Sequence, residues 1–278
     1  MIPRRRFLHA VAVATTTSLL ARAAKTGCEA IDIWCRVHGN QREQIAEMGD
    51  AAFAALLAQH RVKLGASTRY PLGPAGLGDE MKWMKKFGGG IIVTGSGGPK
   101  GLPVSELKAA IRAFLERMKP HVAAAEANGV TIAIENHSSS LLHHPDSLRY
   151  FGEFNRSAHL GVALAPHHLH PWIEQLPALI RDLGVTQIPF MYFQEHSAGI
   201  SQKVAKEIEL RQLPGFGGGL DYRPVIKALA DIRYTGLVEI FMHPTPRGIP
   251  ILPTVAEITA AINCSRDYIE GCRREVLG

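Results

Sequence analysis

Short apolar runs alternate with longer amphipathic segments along almost the whole chain. Residues 30–35, 62–68 and 90–96 are runs of aliphatic and β-branched residues, a composition typical of buried strands. Between these runs, apolar residues recur at helical spacing, most clearly in residues 41–60 and 105–128. The pattern therefore predicts a repeating order of strand and helix.

The second half of the chain continues this order. The remaining predicted strands are residues 130–137 (VTIAIENH), 160–166, 188–196 and 237–241, and further helices are predicted at 146–154, 173–183, 222–232 and 254–275. With a first strand at residues 7–15 and a first helix at 18–25, the 278 residues hold eight strand–helix units. Such a repeat predicts an α/β fold with parallel strands, a single-domain (β/α)8 or TIM barrel. An open doubly wound sheet is less well supported, because no GxGxxG motif opens a helix after a strand.

The first 23 residues support two interpretations. They contain a cluster of arginines, an apolar run and the small-x-small ending Ala21-Arg22-Ala23, and the start RRRFL resembles a twin-arginine export signal. The same residues can instead supply the first strand and helix of the barrel, with residues 24–278 forming the rest. Cleavage near Ala23 would leave a seven-stranded barrel with an unpaired edge. The localisation is therefore open between export and the cytoplasm.

Composition narrows the expected partners and the cysteine chemistry. The chain is 46% hydrophobic with a formal net charge of +6, but its basic residues are scattered, so we expect no nucleic-acid partner. No other apolar run is long enough to span a membrane. The cysteines Cys28, Cys35, Cys264 and Cys272 have no CxxC spacing, which argues against a structural zinc site. In an exported protein one pair could form a disulfide, and a homo-oligomer is compatible with the sequence.

Polar side chains collect at the carboxyl ends of the later predicted strands, where TIM barrels carry their chemistry. These residues are Glu135, Asn136 and His137 after strand five, His167, His168 and His170 after strand six, Gln194, Glu195 and His196 at the end of strand seven, and Glu239 and His243 on and after strand eight. The earlier strands offer less, chiefly Trp34, His38, Arg69 and Tyr70. The sequence therefore predicts a site in the second half of the barrel.

The order of these motifs resembles the xylose isomerase-like TIM barrels, a family that contains sugar epimerases, sugar isomerases and apurinic endonucleases. The resemblance rests on IENH, the histidine pair after strand six, a loop containing PG, the helix DYRPVIKALADIRYTG and the strand VEIF. It extends from about Gly27 to Glu275 and is strongest from Gly129 to Pro244. It implies a divalent metal held by a glutamate, an aspartate, a histidine and a glutamate on strands five to eight. It also implies that the two glutamates serve as acid and base.

Only two of the four implied ligands are present. Glu135 and Glu239 match the glutamates, whereas Ala165 and Tyr192 stand where the aspartate and the histidine are expected. Alanine cannot coordinate a metal, and a neutral phenol is a poor ligand for common divalent ions.

Histidines nearby are candidate replacements for the missing ligands. His168 and His196 would complete a site of two histidines and two glutamates for Mn²⁺, Zn²⁺, Co²⁺ or Mg²⁺. His168 also falls where the family has a substrate-binding histidine. His137, Trp34 and Arg247 are further candidates for contacts with a substrate.

Three functions are compatible with these residues. We expect a sugar isomerase or epimerase in which Glu135 and Glu239 face each other in one pocket and transfer a proton. A lyase or hydratase acting on an oxidised sugar needs the same proton abstraction. A non-catalytic carbohydrate-binding barrel is favoured by Ala165 and Tyr192. In each case the partner is a small carbohydrate.

Overall fold

The computed structural model of the protein describes residues 7–9, 16–242, 252 and 254–278. Within these ranges the chain alternates between strand and helix, as the apolar pattern predicts. The strands are β1 (Phe7–His9), β2 (Ala30–Trp34), β3 (Lys63–Thr68), β4 (Ile91–Gly95), β5 (Thr131–Glu135), β6 (Leu160–Leu164), β7 (Phe190–Phe193) and β8 (Leu237–Ile240). The helices are α1 (Thr16–Thr26), α2 (Gln41–Met48), α3 (Asp50–His60), α4 (Gly78–Lys86), α5 (Val104–Asn128), α6 (Pro145–Phe154), α7 (Leu176–Gln187), α8 (Lys206–Glu209), α9 (Tyr222–Asp231) and α10 (Val255–Leu277).

The eight strands form one parallel sheet in the order β1-β8-β7-β6-β5-β4-β3-β2. β1 and β2 stand at the two ends of this order and lie against each other, so the sheet curls into a nearly closed barrel. The predicted (β/α)8 fold is confirmed.

The described part of the N-terminal segment packs as the first unit of the barrel. Residues Phe7–His9 run parallel to β8, with Leu8 opposite Glu239, and α1 packs against α10. Cleavage of a signal near Ala23 stays a prediction. Among the described residues, no helix is both long and apolar enough to cross a membrane. All four cysteines are free thiols in this structure.

Two connections differ from the predicted elements. The single helix expected over residues 41–60 is divided at Gly49, whose φ of 85° and ψ of 153° do not fit a helix. After β6, residues Pro166–Gln175 form 3-10 turns with Pro171 inside them, before α7 begins. This second connection carries the histidines that follow β6.

The interior of the barrel is mainly apolar, with two buried carboxyl groups among the apolar side chains. Its apolar cluster includes Ala30, Trp34, Ala133, Phe190 and Phe241. Successive strand residues point to opposite faces. Asp32 therefore points into the barrel between Ala30 and Trp34 of β2. Glu239 of β8 points into the barrel as well, two residues before Phe241. Both carboxyl groups are 0% exposed.

Gly161 on β6 allows the close packing of this strand against the turn before β7. A Cβ atom there would lie 2.4 Å from Cδ of Pro189 and 3.1 Å from the carbonyl oxygen of Gln187. We expect Gly161→Ala to lower the free energy of unfolding by about 1–3 kcal/mol, because extra atoms in a packed core force a shift. Urea denaturation measures this change. Gly90→Ala is the matched control, since nothing lies within 4 Å of its added Cβ; equal losses in both variants would contradict the packing argument.

Candidate functional site

A cavity of about 880 Å³ opens at the carboxyl ends of the strands. Its wall includes the last residues of β2 and β5, Trp34 and Glu135, and Phe241 directly after β8. The remaining lining residues are His38, Tyr70, His137, Ser138, His167, His168, His170, Pro171, His196, Ile200, Ser201, Gln202, Lys203. Most are polar, and they come from both halves of the chain. Most of these residues come from the second half of the barrel, where the sequence predicts the site, and Trp34, His38 and Tyr70 come from the first half.

Glu135 is the carboxyl group on this wall. It is 5% exposed, and burial raises its pKa to about 8, partly offset by a hydrogen bond from Tyr70. The Tyr70 hydroxyl donates to Oε2 of Glu135, while Nε2 of His168 lies 3.9 Å from Oε1. The two oxygens therefore face different neighbours, a phenol on one side and an imidazole on the other.

Three histidines gather around Glu135. The ring centroids of His137 and His168 are 3.9 Å apart, and those of His167 and His168 are 4.0 Å apart. One ligand atom each from Glu135, His167 and His168 lie within 4.8 Å of one another. In the part of the chain that the structure describes, this is the one group of three or more His, Cys, Asp or Glu residues whose ligand atoms lie close enough to share a metal ion. His167 was not among the ligands expected from the sequence.

Glu239 lies deeper than the sequence suggests. It is fully buried, and it is not among the described residues that line the cavity. Burial, followed by the charges of Asp32 and Glu135, raises its pKa well above its ordinary value. The structure therefore brings Glu135 and Glu239 near each other but places only Glu135 on the cavity wall.

Asp32 is a buried carboxyl group that sequence reasoning missed. Its Oδ2 accepts a hydrogen bond of 2.7 Å from Thr68, and burial raises its pKa to about 7. The signal was present, since a charged residue in the middle of an apolar strand needs a partner or a proton. Asp32 and Glu239 form a pair of carboxyl groups inside the barrel.

The two positions that depart from the family pattern hold no usual ligand. Ala165 is 0% exposed, and the Asn136 side chain bonds both its N–H, at 2.7 Å, and its carbonyl oxygen, at 2.9 Å. Tyr192 is also fully buried, opposite Glu239 in the register of β7 and β8. The residues present therefore do not fit a metal held at the four family positions.

His196 is not part of the group of Glu135, His167 and His168, although its ring bonds to the backbone of His167. Its ring stacks on His170, with centroids 4.0 Å apart and planes 5° apart, and burial lowers its pKa. The two rings also line a second cavity of about 350 Å³. Trp34, His137 and His168, which the sequence predicts as substrate contacts, lie on the wall of the main cavity. Arg247 and His243 lie outside the described residues.

The fold and the position of the cavity place the protein in the class of (β/α)8 barrels with a ligand cavity at the carboxyl ends of the strands. Within that class, the chain belongs to the xylose isomerase-like TIM barrel family, whose model matches residues 20–267. No curated protein matched the chain.

Solved structures of several sugar epimerases share the fold. A zinc-bound IolI protein superposes with a TM-score of 0.72 at 14% identity, over 98% of each chain. D-psicose 3-epimerase from Clostridium cellulolyticum H10, solved with D-tagatose, has a TM-score of 0.68 at 17% identity, over 95% of this chain and 98% of the epimerase. An L-ribulose 3-epimerase has a TM-score of 0.70 at 16% identity, over 98% and 96%. At these identities the likeness establishes the fold.

Proposed function

We propose that this protein isomerises or epimerises a sugar or sugar derivative by transferring a proton through Glu135. The observation that carries the proposal is the position of Glu135, a buried carboxyl group on the cavity wall with one oxygen held by Tyr70. A base with these surroundings can remove a proton from a carbon beside a carbonyl group. The sugar epimerases among the structural neighbours support the substrate class.

The remaining wall suits a small carbohydrate. The cavity falls within the range of about 300–1,000 Å³ that is usual for small-molecule sites. Trp34 and Phe241 stack with ring centroids 4.9 Å apart and present aromatic surface to a sugar ring. His137, His167 and His168 offer hydrogen-bond partners for hydroxyl groups.

The transfer needs one proton carrier on one face of the substrate. The Glu135 carboxylate takes the proton from carbon and the electron pair moves into the carbonyl group. The protonated Glu135 exchanges with water in the cavity and returns a proton to the neighbouring carbon. His168, beside Glu135, can donate a proton to the carbonyl oxygen as its charge develops and take it back from the adjacent hydroxyl. When a divalent metal is bound, Glu135, His167 and His168 would hold it, and the metal would polarise that carbonyl group in place of the proton from His168.

The arrangement of this wall favours transfer of a proton between adjacent carbons over epimerisation. Epimerisation at one carbon needs a second proton carrier on the opposite face of the substrate. Glu135 is the only carboxyl group among the described residues of this wall, because Glu239 lies beneath it. We therefore place interconversion of an aldose and a ketose, or of their derivatives, ahead of epimerisation.

A non-catalytic carbohydrate-binding barrel is the second candidate, supported by Ala165 and Tyr192 at the family ligand positions. Incubation of the protein with aldoses, ketoses and keto-sugars in deuterated water separates the two. We expect deuterium at the carbon beside the carbonyl group, together with an isomeric product, in proton NMR spectra. A sugar that raises the melting temperature but undergoes no exchange would overturn the catalytic proposal, and loss of water from the substrate would identify a lyase.

A further inference from the structure

The metal ligands of the family pattern and those of this cavity are different sets of residues. Of the four family positions, Ala165 and Tyr192 offer no usual ligand, and Glu239 is buried beneath the wall. Glu135 alone both matches the family pattern and lines the cavity. A metal site in this protein therefore needs ligands from outside the family set.

We infer that Glu135, His167 and His168 form a divalent-metal site that is displaced from the family position toward the connection after β6. One ligand atom from each residue lies within 4.8 Å of the other two. Ligands about 2.0–2.2 Å from a shared ion are at most about 4.4 Å apart, so small side-chain rotations close the site. Glu135 ends β5, and both histidines follow β6 directly in the turn that begins at Pro166.

The contact with Tyr70 orients Glu135 for this role. The Tyr70 hydroxyl occupies Oε2, and Oε1 is the oxygen that faces His168, at 3.9 Å. A partner of this kind fixes the orientation of a metal-binding carboxylate and leaves one oxygen for the ion. Tyr70 itself is held among the rings of Trp34 and His38, with centroids 5.7 and 6.1 Å away.

The donor set indicates which ions the site takes. Two imidazoles and one carboxylate suit Zn²⁺, Fe²⁺, Co²⁺ or Mn²⁺, whereas Mg²⁺ prefers oxygen ligands and keeps its water. Three protein ligands are typical of catalytic rather than structural sites, because they leave a position for water or substrate. All three residues line the cavity, so that position faces the space where a ligand would bind.

Metal binding by the full-length protein tests this assignment. The protein is stripped with a chelator and titrated with Zn²⁺ and with Co²⁺, whose visible absorption reports its coordination. We expect one ion per chain and weaker binding of Mg²⁺. Tyr70→Phe removes a partner of a ligand and should raise the Kd for the metal about 10- to 100-fold. His167→Gln and His168→Gln each remove a ligand, so each should raise this Kd by more than about 100-fold.

Two variants are matched controls. His170→Gln removes an exposed cavity histidine outside the group, and Glu239→Gln removes the glutamate that the family pattern would use. Both variants should keep the affinity and the Co²⁺ spectrum of the wild type. Circular dichroism of the metal-free proteins establishes that each variant is folded, and if one histidine variant does not fold the other decides. Three results would overturn the assignment: unchanged affinity in folded His167→Gln and His168→Gln, loss of affinity in Glu239→Gln, or no binding by the wild type. No substrate enters this measurement, so its failure is distinguishable from failure of the proposed proton transfer.

Discussion

Replacing Glu135 by glutamine is expected to lower the rate of solvent exchange and isomerisation by about 10²- to 10⁴-fold, the range of a lost general base. Glutamine keeps the shape of the side chain and can still accept the hydrogen bond from Tyr70 through its amide oxygen. It cannot take up a proton. The measurement is deuterium incorporation by NMR with the sugar that the wild-type protein turns over, under saturating and dilute substrate.

Two further glutamine variants decide how this result is interpreted. Glu174→Gln is the matched control, because Glu174 is an exposed carboxyl group at the second cavity and should leave the rate unchanged. Glu239→Gln separates a mechanism with one carboxylate from one with two. We expect it to retain more activity than Glu135→Gln, since Glu239 does not line the cavity. Equal losses in the two variants would instead support proton transfer by both glutamates.

The double variant Asp32→Asn, Glu239→Gln is expected to be more stable than the wild type above neutral pH. Burial raises the pKa of Asp32 from 3.8 to about 7 and that of Glu239 well above 4.5. The folded protein therefore binds these protons more tightly than the unfolded chain does. The stability that they contribute is complete below about pH 4 and is lost as the pH rises through about 7.

Amides at these positions do not ionise, so the variant should lack this loss. A shift of about three pKa units corresponds to about 4 kcal/mol at most, and coupling between the two groups makes about 2–4 kcal/mol a reasonable range. Urea denaturation at pH 5 and pH 8.5 measures the difference, with Asp79→Asn as the control because its side chain is fully exposed. A double variant whose stability falls with pH as steeply as that of the wild type would rule out this explanation.

Much of the barrel follows from local pattern. The strands Ala30–Trp34, Ile91–Gly95 and Leu237–Ile240 fall inside the predicted apolar runs, because a strand buried on both faces is apolar along its length. The predicted helix over residues 41–60 is wrong at Gly49, where the backbone turns out of helical geometry. Glycine permits this turn, because it adopts a positive φ without a steric penalty.

The candidate site was predictable in part for a topological reason. Parallel strands bring their carboxyl ends to one face, so the sequence predicts that Trp34, Glu135, His137 and His168 lie near one another, and all four line the main cavity. The sequence does not predict that His196 pairs with His170, or that His167 lies beside Glu135. Both depend on how the turn after β6 folds over the barrel.

The sequence by itself therefore determined the order of strands and helices, the family, and Glu135 as the leading candidate residue, because these depend on local periodicity and on motif order. Only the tertiary structure decided the depth of each side chain. It placed Glu239 beneath the wall beside Asp32, and it brought Tyr70 and His167 to Glu135. Depth and contact across a barrel depend on the tilt and register of strands far apart in the chain, which no local pattern records.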